Sequence, residues 1–133
     1  MDNEIRIAIE REGDIVTARQ KGRELAAETG FSGSDLTVIA TAISEIARNI
    51  VTYAGRGEVI LCTVRQGGKH GIQIVAADSG PGIADIELAM RDGYSTGKSL
   101  GLGLPGAKRL MDEFEIVSEV GRGTVVTMRK WAR

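Results

Sequence analysis

The sequence has a single cysteine, Cys62, among its 133 residues. One cysteine cannot form a disulfide within the chain, and this is typical of proteins from reducing compartments. Cys62 lies in an apolar run with the character of a strand, where a buried, unreactive thiol is expected rather than a nucleophile. We therefore expect a cytoplasmic protein that folds without covalent cross-links.

The chain also has no marked excess of charge and no long apolar segment. Its formal net charge is −1 and its pI about 5.9, so electrostatics favours neither nucleic acid nor an anionic membrane as a partner. No apolar run approaches the ~20 residues that cross a bilayer. The N-terminal stretch MDNEIRIAIE alternates charged and apolar side chains, unlike a signal peptide. We expect no nucleic acid and no membrane among the partners.

Glycine, by contrast, is abundant, at 18 of 133 residues against a usual ~7%. Twelve of the 18 lie between Gly67 and Gly123, among segments whose regular apolar periodicity argues against disorder. Glycine permits tight turns and close approach of a ligand to the backbone. Residues 1–133 have the length of one domain with a hydrophobic core, and the second half of that domain is expected to contain tight turns or backbone close to a ligand.

Strands are predicted where apolar residues alternate, and helices where they recur every three to four positions. Asp14 is the predicted cap of the first helix and Gly30 its end. The predicted elements are a strand at 5–9, helices at 14–29 and 34–54, strands at 58–66 and 72–78, a short helix at 85–90, a helix at 104–114, and strands at 115–120 and 124–131. This order predicts an α+β fold, a two-layer α/β sandwich with helices on one face of a mixed, mostly antiparallel sheet.

The stretch DGYSTGKSLGLGLPGAKRL, residues 92–110, contains near-matches to two phosphate-binding motifs. Segment 93–99 imitates a P-loop, but it has one residue too few before its Gly-Lys pair, and a short helix precedes it instead of a buried strand. Gly101, Gly103 and Gly106 have the spacing of a dinucleotide site, yet no strand comes before them. An NAD-binding module is therefore the weaker alternative. Both motifs place glycines at a helix start, where free N–H groups and the helix dipole favour an anion.

Glu45 and Asn49 are four residues apart in the second predicted helix and so share one face. This face points away from the apolar stripe that contains Ile39, Ile43 and Ile50. A solvated face is the simplest interpretation. Small and partly apolar neighbours on the same side favour the wall of a covered pocket instead.

Asp78 follows the apolar strand residues 74–77 and precedes Ser-Gly-Pro-Gly, which is also the composition of an ordinary turn. A carboxylate held there could accept a hydrogen bond from the exocyclic amino group of a flat ring, and Gly80 and Gly82 would let such a ring approach the backbone. Thr124 begins the last strand, where threonine is usually only a strand former. Each of these features, taken alone, has an explanation that needs no ligand.

In this order, however, the motifs resemble those of the GHKL superfamily of Bergerat-fold ATP-binding domains. SEIARN, ending at Asn49, matches the N box, DSGPG from Asp78 the first glycine box, GLGL from Gly101 the second, and Thr124 the final threonine. Over its whole length, including TAISEIARNI and the KW near its end, the chain is similar to the RsbT-like, anti-sigma-factor-type serine-protein kinases of the stressosome pathway. Segment 92–110 is then an ATP lid followed by a phosphate-binding helix start.

The resemblance implies a site for ATP and Mg²⁺. Asp78 would bind the adenine amino group with support from Thr124, and Asn49 would give an oxygen to Mg²⁺. Glu45, beside the γ-phosphate, would be the general base that orients a hydroxyl for in-line attack. The other implied binding residues line the base (Gly80, Gly82, Ile83), hold the phosphates through their backbone (Leu100, Gly101, Leu102, Gly103, Leu104), or belong to the lid (Lys98, Ser99), where Lys98 is either a phosphate ligand or merely solvated.

The resemblance also implies two protein partners. The acceptor in this family is a serine on a small STAS-domain antagonist protein, a component of the stressosome scaffold, and the kinase activates a protein phosphatase by binding its regulatory domain. The only histidine, His70, lies in the turn GGKHG and is expected to be solvated, which argues against autophosphorylation on histidine. The alternative is a non-catalytic ATP-binding module of the anti-sigma type, although an intact Glu45 argues against it.

Overall fold

The computed structural model describes residues 4–84, 86, 90 and 103–132. The strands are β1 (Ile5–Ile9), β2 (Gly57–Gln66), β3 (Lys69–Asp78), β4 (Glu113–Glu119) and β5 (Gly123–Trp131). The helices are α1 (Glu12–Thr29), α2 (Ser34–Asn49) and α3 (Gly103–Leu110), and a π-helical turn at Ile50–Ala54 continues α2. These elements follow one another in the predicted order.

The strands form one sheet in the order β1-β2-β3-β5-β4. Each of its pairings within the described residues is antiparallel, where the sequence predicted a mixed, mostly antiparallel sheet. Two tight hairpins, β2–β3 and β4–β5, explain much of this difference, because strands joined by short turns run in opposite directions. No two neighbouring strands of the described sheet are parallel, whereas a Rossmann unit pairs parallel strands, so the sheet does not support the Rossmann interpretation of the GxGxxG spacing.

The helices cover one face of this sheet, because alternate side chains of each strand point to the same side and supply an apolar surface. Buried residues of the strands and of all three helices form a single core: Ile7, Ile9, Val59, Leu61, Ile72, Ile74, Val126 and Met128 from the sheet, and Ile15, Leu25, Ile39, Ile43, Ile46, Leu104 and Ala107 from the helices. The predicted two-layer α+β class is confirmed. No helix among the described residues combines the length and the apolar character needed to cross a membrane.

The start of α1 differs from the prediction. The helix begins at Glu12 with Arg11 as its N-cap, so Asp14 lies one turn inside it. The Asp14 carboxylate accepts hydrogen bonds from the backbone N–H groups of Glu10 at 2.8 Å and Arg11 at 3.2 Å. Asp14 therefore stabilises the helix start from inside, as the acidic member of a capping box does. Gly30 ends the helix, as predicted, in a left-handed conformation with φ 110°.

The central helix of the molecule is α2, in which most residues from Ile39 to Ala47 are buried. At its C-terminal end the N–H of Gly55 donates to the carbonyl of Ile50 at 2.9 Å, an i to i+5 bond that closes the π-helical turn. This confirms the helical prediction as far as Ala54. Such turns are often found at functional sites.

The predicted helix at 104–114 is too long, since Phe114 belongs to β4. The N–H of Asp112 donates to the carbonyl of Arg129 at 3.0 Å, so the chain already pairs with β5 before the predicted helix end. Pairing with a neighbouring strand overrides the local helical preference here. The predicted short helix at 85–90 lies largely outside the described residues, but the N–H of Met90 donates to the carbonyl of Ile86 at 3.0 Å, as in a helix.

Cys62 lies on β2 and is buried, as predicted. Desolvation by burial, and next the negative charge of Glu4, raise the pKa of its thiol above the ordinary value. The protonated thiol is a poor nucleophile. This environment agrees with an unreactive structural cysteine.

Candidate functional site

Glu45 is a buried acid at the contact between α2 and α3. The residue exposes only 8% of its surface, and its Oε1 accepts a hydrogen bond at 3.0 Å from the backbone N–H of Gly103, the first residue of α3. Its Oε2 lies 3.5 Å from Nη1 of Arg48. The solvated face considered from the sequence is therefore wrong for Glu45. The carboxylate is directed to the helix start that the sequence predicted to bind phosphate.

Asn49 is the last residue of α2, one helical turn beyond Glu45 and half-buried. The π-helical turn begins immediately after it, at Ile50. Asn49 and Glu45 thus share the face predicted from their spacing. The role of Asn49 as a magnesium ligand stays a prediction.

Asp78 is the last residue of β3 and lies between two neighbouring strands, opposite Gly57 of β2 and Thr124 of β5. Its Oδ1 accepts the N–H of Gly80 at 2.9 Å, so the carboxylate forms the turn that its sequence suggested. A carboxylate has two oxygens and about four acceptor positions. This turn therefore leaves capacity for a further donor.

The ends of α2 and β3 meet at Gly57 and Gly80. A methyl group added at Gly57 would lie 3.0 Å from both Ile50 Cγ2 and Asp78 Cβ, and one added at Gly80 would lie 2.6 Å from Ala54 Cβ. Ile50, which follows Asn49, and Asp78 therefore both pack around Gly57. Asn49 and Asp78 lie at one end of the molecule, as a shared site requires.

Ser118 on β4 is a residue of this region that the sequence analysis missed. Its hydroxyl accepts the N–H of Ile83 at 2.7 Å, donates to the carbonyl of Gly123 at 3.1 Å and lies 2.9 Å from the hydroxyl of Thr124. It thus ties the loop after β3 to the start of β5. The sequence did contain an indication of this residue. Phe114, Ile116 and Ser118 occupy alternate, less exposed positions of β4, and Ser118 is the polar one among them.

Gly82 brings the loop after β3 against the β4–β5 turn. It has φ 78°, and an added methyl group would overlap the carbonyl oxygen of Glu119. On the other side of this contact the N–H of Gly121 donates to the carbonyl of Pro81 at 2.8 Å. Packing within the protein therefore requires glycine at position 82. The predicted approach of a flat ring to Gly80, Gly82 and Ile83 stays a separate prediction.

The phosphate-binding prediction can be followed only at the start of α3. Gly103 opens this helix with φ 63°, and Leu104, the next residue, packs into the core with 6% of its surface exposed. The five other predicted lid and phosphate residues, Lys98, Ser99, Leu100, Gly101 and Leu102, lie outside the described residues. The described part of the site is therefore Glu45, Asn49, Asp78 with its loop, Thr124 and the first residues of α3.

A separate cavity of about 320 Å³ lies at the other end of β3, where it is lined by Leu25, Glu28, Thr29, Thr63, Val64, Arg65 and His70. Asp78 ends β3, and His70 is its second residue. None of the predicted site residues that the structure describes lines this cavity. His70 itself is exposed in the β2–β3 hairpin, as predicted.

The antiparallel sheet, the helical layer and the acid-bearing central helix define a domain of the histidine-kinase ATPase type. The chain belongs to the histidine kinase-like ATPase domain family, whose family model matches residues 9–130. This confirms the GHKL resemblance. Use of ATP follows from membership of this family.

Curated relatives match most or all of the chain. It is 51% identical over 133 residues to the serine/threonine-protein kinase RsbT of Bacillus subtilis (strain 168), with 100% of each chain covered. It is 31% identical over 120 residues to the anti-sigma F factor of Thermoanaerobacter sp. (strain X514), with 86% of this chain and 82% of the relative covered. The full-length match at this identity, together with the family, assigns the chain to the serine/threonine-protein kinases.

Solved structures support the fold at lower sequence identity. The RsbU and RsbW domains of a Mycobacterium tuberculosis protein superpose with a TM-score of 0.67 at 22% identity, covering 98% of this chain and 33% of that one. The mycobacterial sensor histidine kinase MprB superposes with a TM-score of 0.58 at 17% identity, covering 97% and 99%. These two likenesses concern the arrangement of helices and strands.

Proposed function

We propose that this kinase transfers the γ-phosphoryl group of ATP to a serine of a STAS-domain antagonist protein, with residues 1–133 acting as one domain. The observation that carries the proposal is Glu45. A buried carboxylate on α2 accepts the first backbone N–H of α3, 58 residues away in the sequence. It places an acid at the helix start that suits a phosphate chain, which is the arrangement that phosphoryl transfer to a hydroxyl needs.

The adenine would be held at the end of β3. Asp78 has acceptor capacity beyond its turn with Gly80, and an exocyclic amino group is a suitable donor. Thr124 lies opposite Asp78 on β5, and Ser118 fixes its hydroxyl at 2.9 Å. The half-buried loop residues Gly80, Gly82 and Ile83 would line the ring. The described residues therefore fit a purine.

The phosphates would lie at the start of α3, bound by backbone N–H groups from Leu100 to Leu104. Lys98 and Ser99 would add charge and a hydroxyl from the lid. Mg²⁺, when bound, neutralises phosphate charge, and the single amide oxygen of Asn49 suits a cation that usually takes few protein ligands beside phosphate and water. Asn49, on the same helix face as Glu45, would make this contact.

Glu45 would act as the general base. Its Oε1 would exchange the N–H of Gly103 for the acceptor hydroxyl and take up the serine proton as the oxygen attacks phosphorus. Burial keeps this carboxylate away from bulk water and fixes its direction. Most of the rate enhancement would come from positioning and charge neutralisation, as is usual in phosphoryl transfer.

Partner switching is the proposed biological role, in a stressosome pathway of the bacterial cytoplasm. One relative, RsbT, is named as a serine/threonine-protein kinase. Another is named as an anti-sigma F factor. By analogy, the same chain would phosphorylate its STAS-domain antagonist and bind the regulatory domain of a protein phosphatase, activating it by contact. Titration calorimetry with that regulatory domain, followed by a phosphatase assay, tests the second step.

Transfer itself is tested with γ-labelled ATP, Mg²⁺ and a purified STAS-domain protein from the same organism. We expect label on a serine of the acceptor. The variant Glu45→Gln should slow transfer about 100- to 10,000-fold while ADP affinity changes little, since general bases contribute on that scale. Glu115→Gln, on the exposed face of β4, is the matched control and should behave as wild type. Unimpaired transfer by Glu45→Gln would remove this residue from the base role.

The second candidate is an ATP-dependent anti-sigma-type binding module without transfer. The 31% identity to an anti-sigma F factor favours it as the alternative. It predicts nucleotide-dependent complex formation with no labelled serine, so the same incubation separates the two functions.

A further inference from the structure

The two oxygens of Glu45 have two different partners. Oε1 accepts the N–H of Gly103 at 3.0 Å, whereas Oε2 faces Nη1 of Arg48 at 3.5 Å. Arg48 lies one turn further along the same helix, so the pair is of the i,i+3 type. One oxygen thus contacts the helix start where phosphate is proposed, and the other contacts a cation on its own helix.

The acid of this ion pair is more buried than the acids of two surface pairs of the same protein. The Glu45 side chain exposes 9% of its area and Arg48 exposes 37%. In the Arg6–Glu58 and Arg129–Glu113 pairs, each side chain exposes at least 38%. Exposed pairs contribute little because water screens them, whereas a buried carboxylate depends on the partners that replace its hydration.

We propose that Arg48 is a positioning residue for phosphoryl transfer, an inference that rests on the function proposed above. By holding Oε2, Arg48 fixes the rotation of the Glu45 carboxylate. Oε1 therefore keeps its direction when the acceptor hydroxyl replaces the N–H of Gly103 as its hydrogen-bond partner. The serine proton then passes to Oε1, the serine oxygen forms a bond to the γ-phosphorus, and the bond to the β,γ-bridging oxygen breaks to release ADP. Arg48 contacts none of the reacting atoms in this scheme.

The competing explanation is that the pair only stabilises α2. An i,i+3 pair on a helix does this to a small extent in many proteins. The two explanations differ in what the loss of Arg48 changes. A structural pair affects unfolding, whereas a positioning pair affects turnover and the surroundings of Gly103 in the folded protein.

The main variant is Arg48→Gln, with Arg48→Lys as the conservative variant and Arg6→Gln on β1 as the matched control that loses an exposed arginine ion pair. We expect Arg48→Gln to lower the kcat for transfer to the STAS-domain acceptor about 10- to 100-fold, the scale of a misplaced catalytic group. ADP affinity by calorimetry should stay within about twofold, and Arg48→Lys should restore most of kcat because it keeps the charge. Arg6→Gln should match wild type.

A readout without turnover comes from the amide proton resonance of Gly103 in the nucleotide-free protein. A carboxylate acceptor makes a charge-assisted hydrogen bond, so Glu45→Gln should move this resonance. Arg48→Gln should move it part of the way in the same direction, and Arg6→Gln should leave it in place. An unmoved resonance in Arg48→Gln overturns the inference, even if that variant is less stable.

The double variant Glu45→Gln/Arg48→Gln separates this inference from the proposed function. It removes both charges together and so leaves no unpaired buried charge. If Arg48 acts through Glu45, the double variant is no slower than Glu45→Gln alone. A further loss of tenfold would show that Arg48 acts independently and overturn the positioning role. Full activity of Glu45→Gln would instead defeat the base assignment, whatever Arg48 does.

Discussion

The two hairpins of the sheet use glycine in different ways. In the β2–β3 turn, Gly67 and Gly68 have φ values of 55° and 82°, and a methyl group added at either would meet nothing within 4 Å. In the β4–β5 hairpin, Gly123 has φ 122°, and an added methyl group would overlap the carbonyl oxygen of Asp78. The first turn needs glycine only for its own conformation, whereas Gly123 of the second hairpin is needed also because two segments come together there.

This difference matches the positions of the hairpins. The β2–β3 turn is exposed, and strand residues beside it line a cavity to which none of the described site residues contributes. The β4–β5 turn touches the loop after β3 through the bond from Gly121 N–H to Pro81, and Ser118 binds Ile83 of that loop. Dense backbone contacts of this kind hold Asp78 and its neighbours in place. We therefore expect changes in the second hairpin to affect both stability and nucleotide binding, and changes in the first to affect stability alone.

The largest effect is expected from Gly123→Ala. A side chain at position 123 would meet the backbone of Asp78, and its φ of 122° is one that residues other than glycine avoid. The backbones of Gly123 and Asp78 cannot move apart without breaking the pairing of β3 with β5. We expect the free energy of unfolding to fall by about 3 kcal/mol or more. Urea unfolding monitored by circular dichroism measures this change. A loss below about 1 kcal/mol would show that the two segments are not held together as described.

Asp78→Asn tests binding at the same end with little change in shape. The amide oxygen can still accept the N–H of Gly80, but its NH₂ group offers a donor where the adenine amino group needs an acceptor. We expect ADP affinity to fall about 10- to 100-fold, which corresponds to loss of a hydrogen bond to a charged group. Calorimetry measures the affinity. Unchanged binding, with the fold intact by circular dichroism, would contradict the adenine assignment.

Ser118→Ala should have an intermediate effect. It removes the acceptor of the Ile83 N–H and the partner of Thr124, so a half-buried N–H is left without its bond. We expect a loss of about 1–3 kcal/mol of stability and a decrease in ADP affinity of about fivefold. Substitution by threonine, which keeps the hydroxyl, should restore both. Wild-type values for the alanine variant would mean that the bonds around Ser118 do not maintain the loop.

The smallest effect is expected from Gly67→Ala in the other hairpin. The added methyl group meets no atom, so only the left-handed backbone conformation opposes it, at a cost of about 1 kcal/mol. ADP affinity and phosphoryl transfer should equal those of wild type. Any change in nucleotide affinity would break the distinction between the two hairpins.

Local patterns in the sequence were enough to predict most of the fold. Alternation placed Ile5, Ile7 and Ile9 on an inward-facing strand, and glycine signals located the end of α1 and both hairpins. These features depend on neighbours in the chain, which is why they could be predicted. The end of α3 was wrong because a distant segment decides it: Phe114 pairs with Met128 of β5 instead of extending α3.

The candidate site was predictable in part for the same reason. Glu45 and Asn49 share a face by helix geometry, and Asp78 ends a strand by pattern. The burial of Glu45 was not predictable from spacing, because it depends on α3 packing over that face from 58 residues away. Ser118 was missed because its importance comes from contacts with Ile83 and Gly123, which no local pattern records.

The sequence alone determined the order of the elements, the family motifs and their spacing, since helix and strand periods and turn residues act over a few positions. Only the tertiary structure decided that one oxygen of Glu45 binds the start of α3, that Asp78 lies beside the end of α2, and that Gly82 and Gly123 are required by packing. Those facts arise from the close approach of segments far apart in the chain. In a densely packed interior, two backbones can come this close only where a residue has no side chain, as at Gly82 and Gly123. A buried polar group such as the Glu45 carboxylate needs a hydrogen-bond partner, here the N–H of Gly103.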